Sequence, residues 1–93
     1  MWIQEDRTYM YDGKYIKLYH YIKRIDDEVD AITLTCRQIE EILQFKLPAS
    51  AYKHRAWWAN EQKGTHTHSR AWRYAGWKTT DVRIGEKITF VRE

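Results

Sequence analysis

The residues with the most evident chemistry lie between positions 47 and 77, where large aromatic side chains alternate with cations. Four of the five tryptophans, three of the four histidines and five Lys/Arg residues fall in this stretch, against one carboxylate, Glu61. Arginine and lysine bind phosphates, while indoles stack on nucleic-acid bases or anchor a protein's own core. A cationic, aromatic and nearly acid-free stretch therefore favours a flat, anionic partner, and nucleic acid is the leading candidate.

We expect this surface to bind nucleic acid, with DNA favoured, and to catalyse no reaction. The candidate binding residues are Lys53, His54, Arg55, Trp58, Asn60, Lys63, Arg70, Arg73, Lys78 and Arg83. Lysine and arginine in this set would neutralise phosphates, while His54, Trp58 and Asn60 would contact or stack on bases. Lys87, in a terminal hairpin, is a further candidate for backbone contact.

Each of these residues also has a structural interpretation. The cations are then solvated charges, and the indoles belong to the core. Adjacent residues of a helix point about 100° apart, so Trp57 and Trp58 are not expected to be equally buried. One exposed indole would favour a binding role.

Two other functions fit the same residues. The first is a protein-interaction module or small inhibitor that docks through the Trp/Arg surface, because Trp, Tyr and Arg are enriched at protein hot spots. The second, ranked third overall, is a metal-dependent nuclease using His54, His66 and His68. The spacing of these histidines matches no paired-ligand zinc pattern, so we expect neither a metal nor a cofactor. Phosphate-loop, dinucleotide and hydrolase motifs are absent from the sequence.

Length and charge set the class of protein. The 93 residues predict one domain. Residues 1–45 carry six Lys/Arg and nine Asp/Glu, and residues 46–93 carry ten and four, so charges of −3 and +6 sum to the net +3. The single cysteine, Cys36, is expected to be a buried thiol. Without a signal-peptide pattern or a long apolar run, we expect a cytoplasmic protein with no membrane contact.

The first half of the chain predicts two helices and a strand. Residues 1–12 lack periodicity and are expected to form an N-terminal arm, ahead of a domain over 13–93. Apolar residues near helical spacing predict a helix over 14–24, and alternating β-branched residues predict a strand over 31–35. Thr35 and Gln38 then fit a capping box that begins a helix running to about residue 44.

The second half predicts further helices and a hairpin. Pro48 ends the preceding helix, Ser50 is a candidate cap for a helix over 51–59, and residues 61–67 are expected to form a loop. Thr67 or Ser69 would cap another helix that ends at Gly76. Residues 77–84 and 87–92 alternate as two strands with one buried face. The fold class is therefore α+β, a single winged-helix-like domain with a helix-turn-helix, an extra helix and a C-terminal β-hairpin.

The strings LPASA at 47–51, HRAWWAN at 54–60, AW at 71–72 and AGW at 75–77 carry a family resemblance. They resemble a bacterial small-domain family of uncharacterised function, over roughly residues 13–92. The resemblance implies a shared fold and a shared surface around these strings, and it implies no particular reaction.

Overall fold

The computed structural model describes residues 13–61 and 67–93, which form an α+β fold. Its elements in chain order are helix α1 (Ile16–Lys23), strand β1 (Ala31–Thr35), helix α2 (Cys36–Leu43), helix α3 (Ala49–Lys53), the 3-10 helices η1 (Arg55–Trp58) and η2 (Thr67–Ser69), helix α4 (Arg70–Arg73), and strands β2 (Trp77–Arg83) and β3 (Lys87–Arg92). The predicted arm over 1–12, Lys63 and His66 lie outside the described residues.

The three strands form one antiparallel sheet in the order β1-β3-β2. The central strand β3 pairs Phe90 with Ile32 on one side and with Thr79 on the other. A register shift interrupts the β2–β3 pairing between Thr79 and Val82. Both predicted hairpin strands are confirmed, except that Ile84 lies in the turn, where Gly85 supplies a φ of +78°.

The core lies between the helices and one face of the sheet. Helix α1 contributes Leu18, Tyr19 and Ile22, and it packs against both α2 and α4. Ile88 and Phe90 of β3 are fully buried beneath them. Each such aliphatic or aromatic side chain contributes roughly 1.5–3 kcal/mol by leaving water.

Helix α2 begins with the predicted capping box. The Gln38 backbone N–H donates to Thr35 Oγ1 at 3.0 Å, and the Thr35 N–H donates to Gln38 Oε1 at 2.8 Å. Cys36 is buried, as expected, and its N–H donates to the Glu86 carbonyl at 2.9 Å. This bond ties the start of α2 to the hairpin turn, and burial raises the pKa of the Cys36 thiol.

The helix predicted over 51–59 is wrong in its bounds and continuity. Helix α3 begins at Ala49, Ser50 does not cap it, and the chain turns extended at His54, with φ −124° and ψ 117°, before η1. Trp57 and Trp58 lie together in η1, and core residues cover both of them: Trp57 stacks on His68, and Trp58 stacks on Trp72. Both are buried, at 9% and 1% exposed, so the pair supplies no exposed indole.

The next predicted helix is also shorter than expected. It divides into η2 and α4. Ser69 occupies the N-cap position of α4 without a side-chain cap bond, and its hydroxyl instead donates to the Glu61 carbonyl. Gly76 does follow the helix with a φ of +91°, a conformation that favours glycine.

Candidate nucleic-acid interface

The four described tryptophans all lie in the core. Trp72 and Trp77 are 1% and 0% exposed, as buried as Trp58. The Trp58 ring lies 5.9 Å from the Trp72 ring at 22°, and its Nε1–H donates to the Ala51 carbonyl at 2.9 Å. Trp58 therefore presents no ring face to solvent for the base stacking expected of it. In residues 13–61 and 67–93 no indole is exposed for a protein partner either.

Asn60 is exposed, but four hydrogen bonds tie its amide to the buried residues Trp72 and Thr79. Its Oδ1 accepts from Trp72 Nε1 at 3.0 Å, from the Thr79 backbone N–H at 2.8 Å and from Thr79 Oγ1 at 3.0 Å. Its Nδ2 donates to the Thr79 carbonyl at 3.0 Å. The amide thus joins the η1 region to α4 and β2, and the base contact expected of Asn60 does not fit these bonds.

Three cations come together beside the hairpin. The Arg55 guanidinium donates through Nη1 to the Val82 carbonyl of β2. One residue further along β2, Arg83 lies directly opposite Lys87 of β3, and both are exposed. We call Arg55, Arg83 and Lys87 the hairpin cluster.

The hairpin cluster is partly balanced by one carboxylate. Asp81 Oδ2 lies 3.3 Å from Arg83 Nε, with both side chains more than half exposed. Like charges directly opposite each other destabilise a sheet, and a surface ion pair offsets only about 0–1 kcal/mol. The Arg83–Lys87 pair would therefore gain from an anion placed between its members.

Arg70 and Arg73 lie elsewhere. Arg73 is only 15% exposed, donates to the Trp77 carbonyl at 3.3 Å and pairs with Glu93. Trp77 and Arg83 lie at opposite ends of β2, about 20 Å apart at roughly 3.3 Å per residue. The guanidinium of Arg70 lies 5.9 Å from the Tyr74 ring. The phosphate clamp expected of Arg70 and Arg73 is therefore not part of the hairpin cluster.

The remaining predicted residues divide by exposure. Lys53 and His54 are exposed at the end of α3, directly before Arg55, whereas Lys78 is half-buried on β2. His54 borders a cavity of about 540 Å³ with Trp57 and His68.

The histidines form no visible metal centre. The His68 ring stacks on Trp57 at 3.9 Å and 9°, and its Nε2 is hydrogen-bonded to the Trp57 carbonyl. Because a carbonyl only accepts, this nitrogen carries the proton and is not a metal ligand in this state. Within residues 13–61 and 67–93, no three His, Cys, Asp or Glu side chains group as ligands would.

One pair that sequence reasoning missed fixes the turn between α2 and α3. Tyr52 donates its hydroxyl to Glu40 Oε2 at 2.6 Å, and the same oxygen accepts the Leu47 N–H at 2.8 Å. The Tyr52 hydrogen bond lowers the pKa of Glu40, and the bond to Glu40 raises the pKa of Tyr52 to about 12. The 12-residue separation follows no local rule, so the sequence carried no signal for this pair.

The fold and these contacts define a small α+β domain with a cationic hairpin. The chain belongs to the family described as Domain of unknown function (DUF7662), which matches residues 15–93. This agrees with the resemblance to an uncharacterised family. No curated protein and no solved structure matches the chain significantly. Each helix in the described part of the chain is too short or too polar to span a bilayer.

Proposed function

We propose that this chain is a non-catalytic DNA-binding module of the winged-helix type, which binds DNA phosphates through the hairpin cluster. The order helix, strand, helix, helix, hairpin supports the fold assignment, as does the strand order β1-β3-β2. On this assignment α2 and α3 form the helix-turn-helix, and β2 and β3 form the wing.

The observation that carries the proposal is the position of Arg55 against the hairpin. Its hydrogen bond to the Val82 carbonyl occupies one of five guanidinium N–H donors and brings the segment after α3 to the wing. Phosphates passing between these two elements would meet Arg55, Arg83 and Lys87 together. Lys53 and His54 extend the same segment, and His54 is the residue left for base contact.

The burial of the four described indoles removes base stacking on tryptophan from the proposed mechanism. Without an exposed indole among the described residues, we expect affinity to rest on charge, and single strands gain nothing from stacking on these tryptophans. Three phosphates neutralised on duplex DNA give a log–log salt slope of about −2.7, or roughly a 40-fold loss of affinity between 50 and 200 mM salt.

Fluorescence anisotropy with a labelled duplex of about 20 base pairs, titrated from about 50 to 200 mM salt, tests the proposal. We expect Arg83→Ala and Lys87→Ala each to weaken binding and to make the slope shallower by about 0.9. Lys23→Ala is the matched control, because Lys23 is exposed on α1 and next to the loop that Arg92 holds, at the end of β3 opposite Lys87. A flat salt response, or an equal loss in Lys23→Ala, would refute specific phosphate contact by the hairpin cluster.

A further inference from the structure

A cationic groove lies between α1 and α2, separate from the hairpin cluster. It has a volume of about 750 Å³ and is lined by Lys17, His20, Tyr21, Arg24, Ile25, Ile42 and Gln44. Residues 17, 20, 21 and 24 follow helical spacing, so they share the outer face of α1. The lining includes no carboxylate, and the Tyr21 side chain is 43% exposed beside two isoleucines. The groove therefore suits an occupant with an apolar side chain flanked by carboxylates.

The chain itself carries a segment of that chemistry directly after α1. Residues 26–30 read Asp-Asp-Glu-Val-Asp, and Val29 is one of the exposed large apolar side chains, at 36%. Arg92 fixes the loop, because its Nη2 donates to the carbonyls of Asp26 and Val29, both at 2.9 Å. The loop is thus held in shape by its own domain and presents Val29 between acidic side chains.

The two surfaces are opposite in charge. Two cations, Lys17 and Arg24, line the groove, and residues 26–30 carry four carboxylates, Asp26, Asp27, Glu28 and Asp30. A positive patch followed by a negative patch is self-complementary under a two-fold rotation, the symmetry of most homodimers. The same groove cannot be filled by its own loop, because the loop continues directly from the helix that forms the wall.

We propose that the chain forms a two-fold dimer in which the acidic loop of each copy docks into the α1–α2 groove of the other. Val29 packs against Tyr21 and the groove isoleucines, and Asp27 and Glu28 face Lys17 and Arg24 of the other copy. The contact area is small and its charges stay near solvent, so the association is weak and salt-sensitive.

Sedimentation equilibrium of the full chain tests the dimer. At low salt we expect the mean mass to rise with concentration from 11.4 kDa toward twice that value, and to fall back as salt is added. Arg24→Glu and Asp27→Arg should each weaken the dimer at least tenfold, because each substitution is repeated on both sides of the interface. Lys23→Glu is the matched control, since it makes the same charge change one residue away and does not line the groove.

Mixing the two weakened variants is the decisive step. In a mixed dimer, the carboxylate introduced by Arg24→Glu meets the guanidinium introduced by Asp27→Arg, while the other contact keeps the native Arg24–Asp27 pair. We therefore expect the mixture to regain the wild-type dimer affinity, with each variant's near-ultraviolet circular dichroism showing that it is folded. A wild-type chain that stays monomeric at low salt, or a mixture no more associated than its components, overturns the proposal and leaves the groove to a different partner.

Discussion

Replacing Asn60 with alanine tests whether this residue holds the fold or serves a ligand. The change leaves two buried donors, Trp72 Nε1 and the Thr79 backbone N–H, without the oxygen that accepts both. A buried donor left unsatisfied costs about 1–3 kcal/mol, so the expected loss for two donors is about 2–6 kcal/mol. A domain of this length has a total stability of about 5–14 kcal/mol, so the loss is a large fraction of it.

Urea unfolding followed by tryptophan fluorescence measures this loss. With an m-value of about 1–3 kcal/mol/M, the midpoint should fall by roughly 1–3 M. Asn60→Asp is the informative companion, because it keeps an oxygen for Trp72 and the Thr79 N–H and loses only the Nδ2 donor. We expect its loss to be smaller than that of Asn60→Ala. The double variant with Trp72→Phe should be less destabilised than the sum of its single changes, since both remove the same bond.

The structural assignment of Asn60 fails under one clear result. If Asn60→Ala stays within about 0.5 kcal/mol of the wild type, as an ordinary surface substitution does, then these hydrogen bonds do not stabilise the domain. A folded, equally stable Asn60→Ala that instead loses DNA affinity would restore the ligand contact expected from the sequence alone.

Two further changes test contacts that organise the surfaces. Tyr52→Phe should cost about 1 kcal/mol at neutral pH, because it removes a partly exposed hydrogen bond to the Glu40 carboxylate. The lowered pKa of Glu40 means that this difference is present above pH 4.5 and shrinks as the pH falls through the folded pKa. At alkaline pH, the raised pKa of Tyr52 means that the stabilisation by this hydrogen bond declines between pH 10.0 and about 12. Urea midpoints of the wild type and Tyr52→Phe, measured from acid to alkaline pH, check the acid and the alkaline decline. A difference in stability that stays constant with pH would contradict both. Arg92→Lys should loosen the loop at 26–30, because a lysine does not fork to both the Asp26 and Val29 carbonyls. Hydrogen exchange at the Val29 amide, which donates to the Asp26 carbonyl at 2.9 Å, should then accelerate, and unchanged exchange would exclude Arg92 as the clamp.

The elements that the sequence predicted well are those fixed by neighbours in the chain. The strand over 31–35 alternates in burial because successive side chains point to opposite faces, and the Thr35–Gln38 box closes within four residues. Hairpin pairing likewise depends on a short turn at Gly85. In each case, the residues that determine the element lie only a few positions apart in the chain.

The candidate site was less predictable than these elements. Contacts between residues distant in sequence decide which of its side chains face solvent and which are held by the fold. Asn60 is structural because Thr79, 19 residues later, places three polar atoms around its amide. Arg73 and Arg83 have the same chemistry but lie at opposite ends of β2. Arg73 of α4 donates to the Trp77 carbonyl and pairs with Glu93, whereas Arg83 lies opposite Lys87. Composition identifies cations and indoles without deciding which of them face solvent.

The uneven charge of the chain links the two proposals. The excess acid of the first half is concentrated in the loop at 26–30, and an uncovered acidic loop repels a polyanion over roughly a Debye length of 10 Å. In the proposed dimer, Lys17 and Arg24 of the second copy partly offset the negative charge of that loop, whereas Arg55, Arg83 and Lys87 lie outside the groove and stay available for phosphate. Self-association would thus weaken the repulsion between the acidic loop and DNA while doubling the number of hairpin clusters in one assembly. Weak dimerisation and weak phosphate binding would then each increase the affinity of the other on a duplex long enough to reach both hairpin clusters.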